Sequence, residues 1–137
     1  FANSRARLRM ATLYQVAAAN SGIVVGTGNK VEDFGVGFYT KYGDGGVDIS
    51  PIADCTKTQV WELGKHLGIV KEIIDADPTD GLWNDGRNDV DQLGMNYEEL
   101  EKAMTNLNDP NYKKYLEIRK KNLHKINPIP VCKFDDL

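Results

Sequence analysis

Apolar positions along the chain follow two spacings, one helical and one extended. Residues 4–20 place four apolar side chains at positions i, i+3, i+4 and i+7, which predicts a helix. The four are Met10, Leu13, Tyr14 and Ala17. A short apolar run, Ile23–Val25, predicts a buried parallel strand whose carboxyl end meets the next loop. A helix, a strand and a glycine-rich loop in this order favour an α/β layer that binds a nucleotide.

Cap signals mark where the later helices begin. Thr56 precedes Gln59 with capping-box spacing, which predicts a helix from near Lys57, and Asn96 stands in the same relation to Glu99. The buried face of the first helix is expected to hold Val60, Trp61, Leu63, Gly64 and Leu67, and that of the second Leu100, Ala103, Met104 and Leu107. The other predicted elements are an edge strand over 47–52, a stop at Gly68, a helix over 69–76 and a helix from Asp109-Pro110 to Asn127-Pro128.

Glycine dominates residues 26–54. Seven of the 13 glycines fall between Gly26 and Gly46, a density that predicts no regular helix there and a backbone shaped around a ligand. Glycine-rich loops let backbone N–H groups approach phosphates, and nearby lysines and carboxylates can neutralise charge or hold a divalent cation. Glycine density alone, however, favours a solvated surface loop. The charged and hydroxyl side chains interleaved with the glycines are Thr27, Lys30, Glu32, Lys41, Asp44 and Asp48.

Composition narrows the class of protein. At 137 residues, with 41% hydrophobic and 27% charged residues, the chain has the size and make-up of one soluble globular domain. Its net charge of −3 argues against a general nucleic-acid or anionic-membrane surface. Two distant cysteines and two histidines suggest neither a zinc site nor a disulfide framework. No apolar run approaches the length of a membrane span or signal peptide, so we expect a cytoplasmic protein with no membrane or nucleic-acid partner.

Two polar segments have more than one interpretation. Arg5, Arg7 and Arg9 crowd the first turn of the first helix, where cations oppose the helix dipole, so they indicate either an anionic partner or a solvated basic end. Residues 78–94 are polar and acidic, as in a mobile lid or a plain connector. His124 and Lys125 end the last predicted helix, where local rules favour cations in any case.

Taken in order, several segments resemble the C-terminal half of ammonia-dependent NAD synthetases. The segments are RARLRM, VVGTGNKVE, FYTKYGDGGVDISPI, Lys57, PTDGLW, LGMNYEEL and HKINP. The resemblance covers essentially the whole chain, and TKYGDGG followed by Asp48 is highly specific. It implies an α/β, Rossmann-like fold of the adenine-nucleotide α-hydrolase type with a parallel sheet, of which residues 1–137 would be the C-terminal part. It also implies a homodimer that adenylates deamido-NAD with ATP and Mg²⁺ and lets ammonia displace AMP.

The resemblance also implies roles for individual residues. Those expected to contact ATP are Thr27, Lys57 and Thr79, with Lys57 stabilising the reacting phosphates as the catalytic residue. Glu32 is expected to bind Mg²⁺. Those expected to bind deamido-NAD are Arg7, Lys41, Asp48, His124 and Lys125. For the last two, the resemblance replaces the local interpretation as dipole complements.

Two departures from the family pattern qualify these expectations. One additional residue lies between Glu32 and Lys41 compared with the shorter form of the family, and the SGGxDS pyrophosphate loop does not occur. The chain also starts at Phe1 with a helical pattern almost at once, so we expect a fragment that is inactive alone. The alternatives are another ATP pyrophosphatase such as a GMP-synthetase-like amidotransferase, a glutamine-dependent NAD synthetase, or a non-catalytic nucleotide-binding or dimerisation fragment.

Overall fold

The computed structural model describes residues 1–134. Over this range the chain is mainly helical, and its helices agree with most of the predicted segments. In chain order the elements are α1 (Ala2–Ala19), a π-helix (Lys30–Val36), α2 (Lys57–His66), α3 (Lys71–Ile74), α4 (Asp89–Leu93), α5 (Tyr97–Thr105) and α6 (Tyr112–Ile126). No helix among the described residues is both long enough and apolar enough to cross a membrane.

The capping boxes place α2 and α5 where the sequence predicts them. The Thr56 side chain accepts a hydrogen bond from the Gln59 N–H, and the Gln59 side chain accepts one from the Thr56 N–H. Asn96 and Glu99 make the same reciprocal pair at the start of α5. These bonds satisfy N–H groups that have no partner inside a helix, which is why the local pattern is sufficient to set both starts.

The predicted parallel sheet is not confirmed in residues 1–134. The two extended segments do run side by side, with the Gly26 N–H donating to the Ile49 carbonyl at 2.7 Å. Their pairing is a single parallel bridge between Val25 and Ile49. Val24 is buried, whereas 53% of Val25 is exposed. The two segments pair over too few residues to form a ladder of hydrogen bonds. The predicted extended segments are therefore present within residues 1–134, but they do not form a sheet.

The prediction of no regular helix within residues 26–54 is wrong for Lys30–Val36, which form the π-helix. The Asn29 side-chain oxygen accepts the N–H groups of Val31 (2.9 Å) and Glu32 (3.0 Å), and so caps the first turn. Asparagine followed three residues later by glutamate is a helix-start signal that the glycine density obscured.

The core lies between the π-helix, α5 and α6. Its buried side chains are Val31, Val36, Leu93, Met95, Tyr97, Leu100, Ala103 and Tyr115. The apolar stripe predicted for α5 is confirmed at Leu100 and Ala103, both fully buried. Leu107 lies beyond the end of α5 and is 72% exposed. The core therefore supports the π-helix from one side and leaves its N-terminal end facing a cavity.

The apolar stripes predicted for α1 and α2 are only partly covered within residues 1–134. Ala6 is the buried residue of α1, and Leu13 is 56% exposed. α2 has no fully buried residue, although Trp61 packs against the core and Gly64 lies against Ile74 of α3. Leu67, just past the end of α2, is 66% exposed.

Other boundaries shift by a few residues. The predicted stop at Gly68 is confirmed, since this glycine follows α2 with a φ of +72°. The helix predicted over 69–76 shortens to α3, and α6 starts at Tyr112 because the Asp109 carboxylate accepts the Asn111 N–H in a turn. The tail shows no helix or strand over 128–134, and residues 135–137 of the predicted extended tail lie outside the described residues.

Candidate functional site

A cavity of about 460 Å³ opens between the π-helix, the start of α2 and the segment before α4. Its lining includes all four residues expected to contact ATP or Mg²⁺, namely Thr27, Glu32, Lys57 and Thr79. They come from three separate parts of the chain, and the fold brings them to one place. The same lining carries five further carboxylates, those of Asp33, Asp44, Asp77, Asp80 and Asp89. Among the described residues that line it, Lys57 is the one cation.

Glu32 and Lys57 form the centre of a hydrogen-bonded network on the wall of this cavity. The Lys57 ammonium lies 2.8 Å from Glu32 Oε1, and both side chains are largely buried, at 19% and 15% exposure. The same carboxylate oxygen accepts the Tyr97 hydroxyl at 2.5 Å. The other oxygen accepts the Asn29 amide, also at 2.5 Å. The Lys57 ammonium further lies 4.8 Å from the centre of the Tyr97 ring, a favourable cation–π distance.

Tyr97 connects this pair to a second carboxylate. Its hydroxyl lies 2.5 Å from Asp89 Oδ2 as well as from Glu32, but a phenol has one hydrogen to donate. The two carboxylates therefore compete for the one hydroxyl hydrogen. Burial raises the pKa of Asp89 in spite of its hydrogen bond to Tyr97. Burial and the charge of Glu32 also raise the pKa of Tyr97.

Sequence reasoning did not single out Asn29, Tyr97 or Asp89 as site residues. Asn29 carried a usable signal, because its spacing to Glu32 is that of a helix cap. Tyr97 and Asp89 carried none, since each lies far from Glu32 in sequence and is brought to it by the packing of α4 and α5. Asp89 is 5% exposed, and its Oδ1 has no hydrogen-bond partner among the described residues.

The side chains around Glu32 fit a magnesium ion that is held mainly by a nucleotide. No group of three or more metal-binding side chains occurs in residues 1–134. Mg²⁺ usually takes one or two protein carboxylates and completes its shell with phosphate oxygens and water. Glu32 supplies one carboxylate on the cavity wall, and Asp89, whose Oδ1 is buried without a hydrogen-bond partner among the described residues, is a further carboxylate of the lining.

Asp33 is a further cavity carboxylate whose surroundings raise its pKa. Burial, followed by the charges of Glu32 and Asp44, raises its pKa to about 7. Its carboxylate packs directly on the Gly28 backbone, where a Cβ would lie only 2.0 Å from Asp33 Oδ2. A side chain at position 28 would therefore displace the Asp33 carboxylate.

This shift predicts how stability changes with pH in the absence of nucleotide. The folded pKa of Asp33 is higher than that of an unfolded aspartate, so folding favours the protonated form. That contribution is fully present below about pH 4 and is lost as the pH rises to about 7. We expect Asp33→Asn to raise the free energy of unfolding at pH 8, with the gain shrinking towards pH 4. Urea unfolding of both proteins at several pH values measures this difference in the free energy of unfolding. A difference that does not change with pH would contradict the prediction.

The residues expected to bind deamido-NAD fall into two places. The Arg7 guanidinium donates to the Lys41 carbonyl at 3.3 Å, and the Lys41 ammonium donates to the His124 carbonyl at 2.6 Å. These three residues therefore form one connected group. Lys125 lies beside it, but its ammonium donates to the backbone carbonyls of Gly37 and Tyr39. Burial lowers the pKa of this ammonium.

Asp48 is placed elsewhere. Its carboxylate accepts the Val24 N–H at 2.7 Å and the Tyr14 hydroxyl at 3.2 Å, beside the paired extended segments. No hydrogen bond joins it to Lys41 or His124 among the described residues. The structure thus groups Arg7, Lys41 and His124 and leaves Asp48 bracing the end of the extended segment.

The arginines of α1 contact the segment before α4. Arg5 donates to the Leu82 carbonyl at 2.8 Å, and Arg9 donates to the Gly81 carbonyl at 3.1 Å. The partners of the two outer arginines among the described residues are thus neutral oxygen atoms of this loop, mainly backbone carbonyls, and not an anionic group. The contacts hold the loop across one side of the cavity region, where Thr79 and Asp80 line the wall.

The fold resembles those of solved NAD synthetase-like proteins. The NMN synthetase from Francisella tularensis superposes with a TM-score of 0.88 at 36% identity, over 97% of this chain and 56% of that one. An NH3-dependent NAD synthetase from Campylobacter jejuni gives a TM-score of 0.67 at 24% identity, which concerns the fold alone. The chain is thus of the NAD synthetase-like class of folds, consistent with the α/β adenine-nucleotide α-hydrolase type.

The sequence comparisons identify the family to which the chain belongs. The family model for NAD synthase matches residues 1–133, and the chain belongs to that family. The NH(3)-dependent NAD(+) synthetase of Thermoplasma volcanium is 40% identical over 130 residues, which are 90% of this chain and 53% of the relative. That of Archaeoglobus fulgidus is 37% identical over 142 residues, 99% of this chain and 57% of the relative. The chain spans about half the length of the curated relatives it matches.

Proposed function

We propose that the polypeptide carrying these residues forms NAD by ATP-dependent amidation of deamido-NAD with ammonia. The observation that carries the proposal is the convergence of Thr27, Glu32, Lys57 and Thr79 on one cavity. The names of the relatives, NH(3)-dependent NAD(+) synthetases, support the same reaction. Thr27, Lys57 and Thr79 would contact ATP.

A complete enzyme needs more than these residues. Since the relatives are about twice as long, we propose that residues 1–137 are the C-terminal part of one synthetase domain, and that a preceding part supplies the pyrophosphate loop. We further propose a homodimer in the cytoplasm. Apolar side chains that stay exposed on α1 and α2, such as Leu13 and Leu63, favour further packing partners for these helices. Large exposed apolar patches on a folded protein usually mark contacts with another segment or chain.

The charges of the cavity suit the first step. An oxygen of the nicotinic carboxylate attacks the α-phosphorus of ATP, a new O–P bond forms, and the bond to pyrophosphate breaks. Negative charge then grows on the leaving pyrophosphate, where the Lys57 ammonium would stabilise it. No protein nucleophile is required. When bound, Mg²⁺ supplies further neutralisation of the phosphate oxygens, and Glu32 would hold it.

The second step requires neutral ammonia and the exclusion of water. The ammonia nitrogen attacks the acyl carbon, the bond to AMP breaks, and the nitrogen loses a proton. Arg7, Lys41 and His124, which lie together, would bind the dinucleotide. Lys125 and Asp48 are proposed to bind it as well, besides their bonds to the neighbouring backbone. Water at this stage would hydrolyse the acyl-adenylate, so a covered cavity is needed.

A second substrate deserves a direct comparison. The Francisella tularensis structure, which superposes with a TM-score of 0.88, is that of an NMN synthetase. Its name favours the same amidation on the mononucleotide form of the substrate. The chemistry at the carboxylate is identical, so the cavity by itself supports both substrates.

Product analysis tests the proposal. The full-length polypeptide is incubated with ATP, Mg²⁺ and ammonia, and with deamido-NAD, nicotinic acid mononucleotide or xanthosine monophosphate. We expect NAD and AMP in equal amounts from the first. Product mainly from the mononucleotide would instead favour the second candidate. Product from xanthosine monophosphate alone would identify a different ATP pyrophosphatase, and binding without turnover would indicate a non-catalytic protein.

The loop before α4 is proposed as a lid that protects the acyl-adenylate. Its ends are close, since the Thr79 hydroxyl donates to the Arg87 carbonyl at 3.3 Å, so a shorter link can join them. The shorter link also removes the contacts of Arg5 and Arg9 with Leu82 and Gly81. We expect replacement of residues 81–86 by two glycines to release AMP in excess of NAD, because water then competes with ammonia. The AMP to NAD ratio measures it. A ratio that stays at one would rule out the lid.

A further inference from the structure

The C-terminal end of the π-helix is bound by a row of donors on α6. Arg119, Asn122 and Lys125 are spaced three residues apart and therefore lie along one side of α6. Arg119 donates to the carbonyls of Phe34 and Gly35, the latter at 2.6 Å. Asn122 donates to the Val36 carbonyl at 2.9 Å, and Lys125 to the Gly37 and Tyr39 carbonyls at 2.6 and 2.8 Å.

These bonds meet a specific need of the backbone. The last carbonyls of a helix have no partner within the helix, and burying them without one is costly. Gly35, Val36 and Gly37 are all buried. The side chains of α6 therefore supply the partners that allow this helix end to lie inside the protein.

At the end of α6 the direction of donation is reversed, and α6 supplies the acceptors. The Tyr39 hydroxyl donates to the Lys125 carbonyl at 2.5 Å, and the Lys41 ammonium donates to the His124 carbonyl at 2.6 Å. Both acceptors belong to the last turn of α6, where the helix dipole favours a cation. The position of the Lys41 ammonium is thus set by the end of α6.

Gly37 shows that the two segments must approach closely. Its φ of +67° is in the region that favours glycine, and a Cβ on it would lie 2.6 Å from the Cβ of Asn122. A side chain at this position would push α6 away and separate the donors from their carbonyls.

From this geometry we infer that Arg119 and Asn122 are positioning residues for the nucleotide that carries the nicotinic carboxylate. They hold the end of the π-helix against α6 and so place Lys41. This inference rests on the proposed function, in which Lys41 binds that nucleotide. Neither residue lines the cavity of Thr27 and Lys57, and Glu32 lies in the first turn of the π-helix, away from the end that they hold. We therefore expect the larger effect on the nucleotide that carries the nicotinic carboxylate.

A comparison of Michaelis constants tests the inference in the full-length polypeptide. We expect Asn122→Ala to raise the KM for deamido-NAD about tenfold, the effect of misplacing one binding contact, and to leave the KM for ATP within about twofold. Asn122→Gln, which keeps an amide donor, should recover part of the loss. Lys121→Ala is the matched control, because Lys121 is the exposed neighbour on α6 and makes no such bond.

Arg119→Ala and Arg119→Lys provide an independent pair. The alanine variant should show the same selective rise in KM, and the lysine variant a smaller one. Thermal unfolding of each variant identifies any variant that does not fold. If the variants at one position do not fold, those at the other position test the inference. Equal rises in both Michaelis constants, or no change in either, would overturn the inference.

Failure of the positioning role and failure of the proposed function give different results. If the wild-type polypeptide forms no product, the proposed function fails, and calorimetric binding of deamido-NAD and of ATP is then compared between wild type and Asn122→Ala. Selective loss of deamido-NAD affinity would still support the positioning role. Absence of deamido-NAD binding to the wild type would overturn it.

Discussion

Replacement of Lys57 by alanine is expected to lower the turnover number of the full-length polypeptide by about 10²- to 10³-fold, the range found when a preorganised charge at a transition state is removed. Lys57 is the cation that lines the cavity among residues 1–134, and five further carboxylates besides Glu32 surround it. Without its ammonium, the charge that grows on pyrophosphate meets only carboxylates and hydroxyls on this wall. Steady-state kinetics with saturating ATP and deamido-NAD measures the effect.

The matched control is Lys65→Ala. Lys65 lies on the same helix, in its last turn, and is exposed. Its removal changes the charge of α2 equally but leaves the cavity intact, so turnover should remain near that of the wild type. Near-normal turnover of Lys57→Ala, or an equal loss in both variants, would exclude the catalytic role of Lys57.

Replacement of Leu100 by alanine is expected to lower the free energy of unfolding by about 2–5 kcal/mol, the range for truncating a fully buried leucine. Leu100 is 0% exposed and lies in the core between the π-helix, α5 and α6. The cavity left behind cannot be filled by neighbours that are themselves held by backbone contacts. Urea unfolding followed by circular dichroism measures the change.

Leu107→Ala is the corresponding control. Leu107 belongs to the same periodic stripe in the sequence but is 72% exposed, so its truncation should change stability by no more than about 0.5 kcal/mol. Equal losses at the two positions would mean that the stripe continues past the end of α5 in solution, contrary to the structure.

The outcome for the helices shows which features are local. α2 and α5 begin where their caps predict, because a capping box satisfies backbone N–H groups within four residues of chain. α1 was predicted to within two residues at its start. The π-helix was missed, since glycine density and a cap signal pointed in opposite directions and only the packing of α6 decides between them.

The contacts among the site residues, in contrast, depend on segments that are far apart in the sequence. The resemblance to NAD synthetases predicted Thr27, Glu32, Lys57 and Thr79, and the structure brings these four together. It did not predict Tyr97, whose hydroxyl reaches Glu32 across 65 residues of sequence. The substrate role that it gives Lys125 stays a prediction, and in the structure the ammonium of Lys125 donates to two backbone carbonyls.

The sequence by itself determined α1, α2, α5 and α6, the family and the set of polar residues on which the proposed chemistry depends, but not the π-helix or α4, which lies inside the segment predicted as a polar loop. These follow from periodicity, caps and motif spacing, which act over a few residues. The tertiary structure alone decided which of those residues meet. The network of Glu32, Lys57, Tyr97 and Asp89, and the row of α6 donors on the π-helix, join segments that no local rule relates. Burial then requires each of their polar groups to find a partner, and those partners lie far away in the chain.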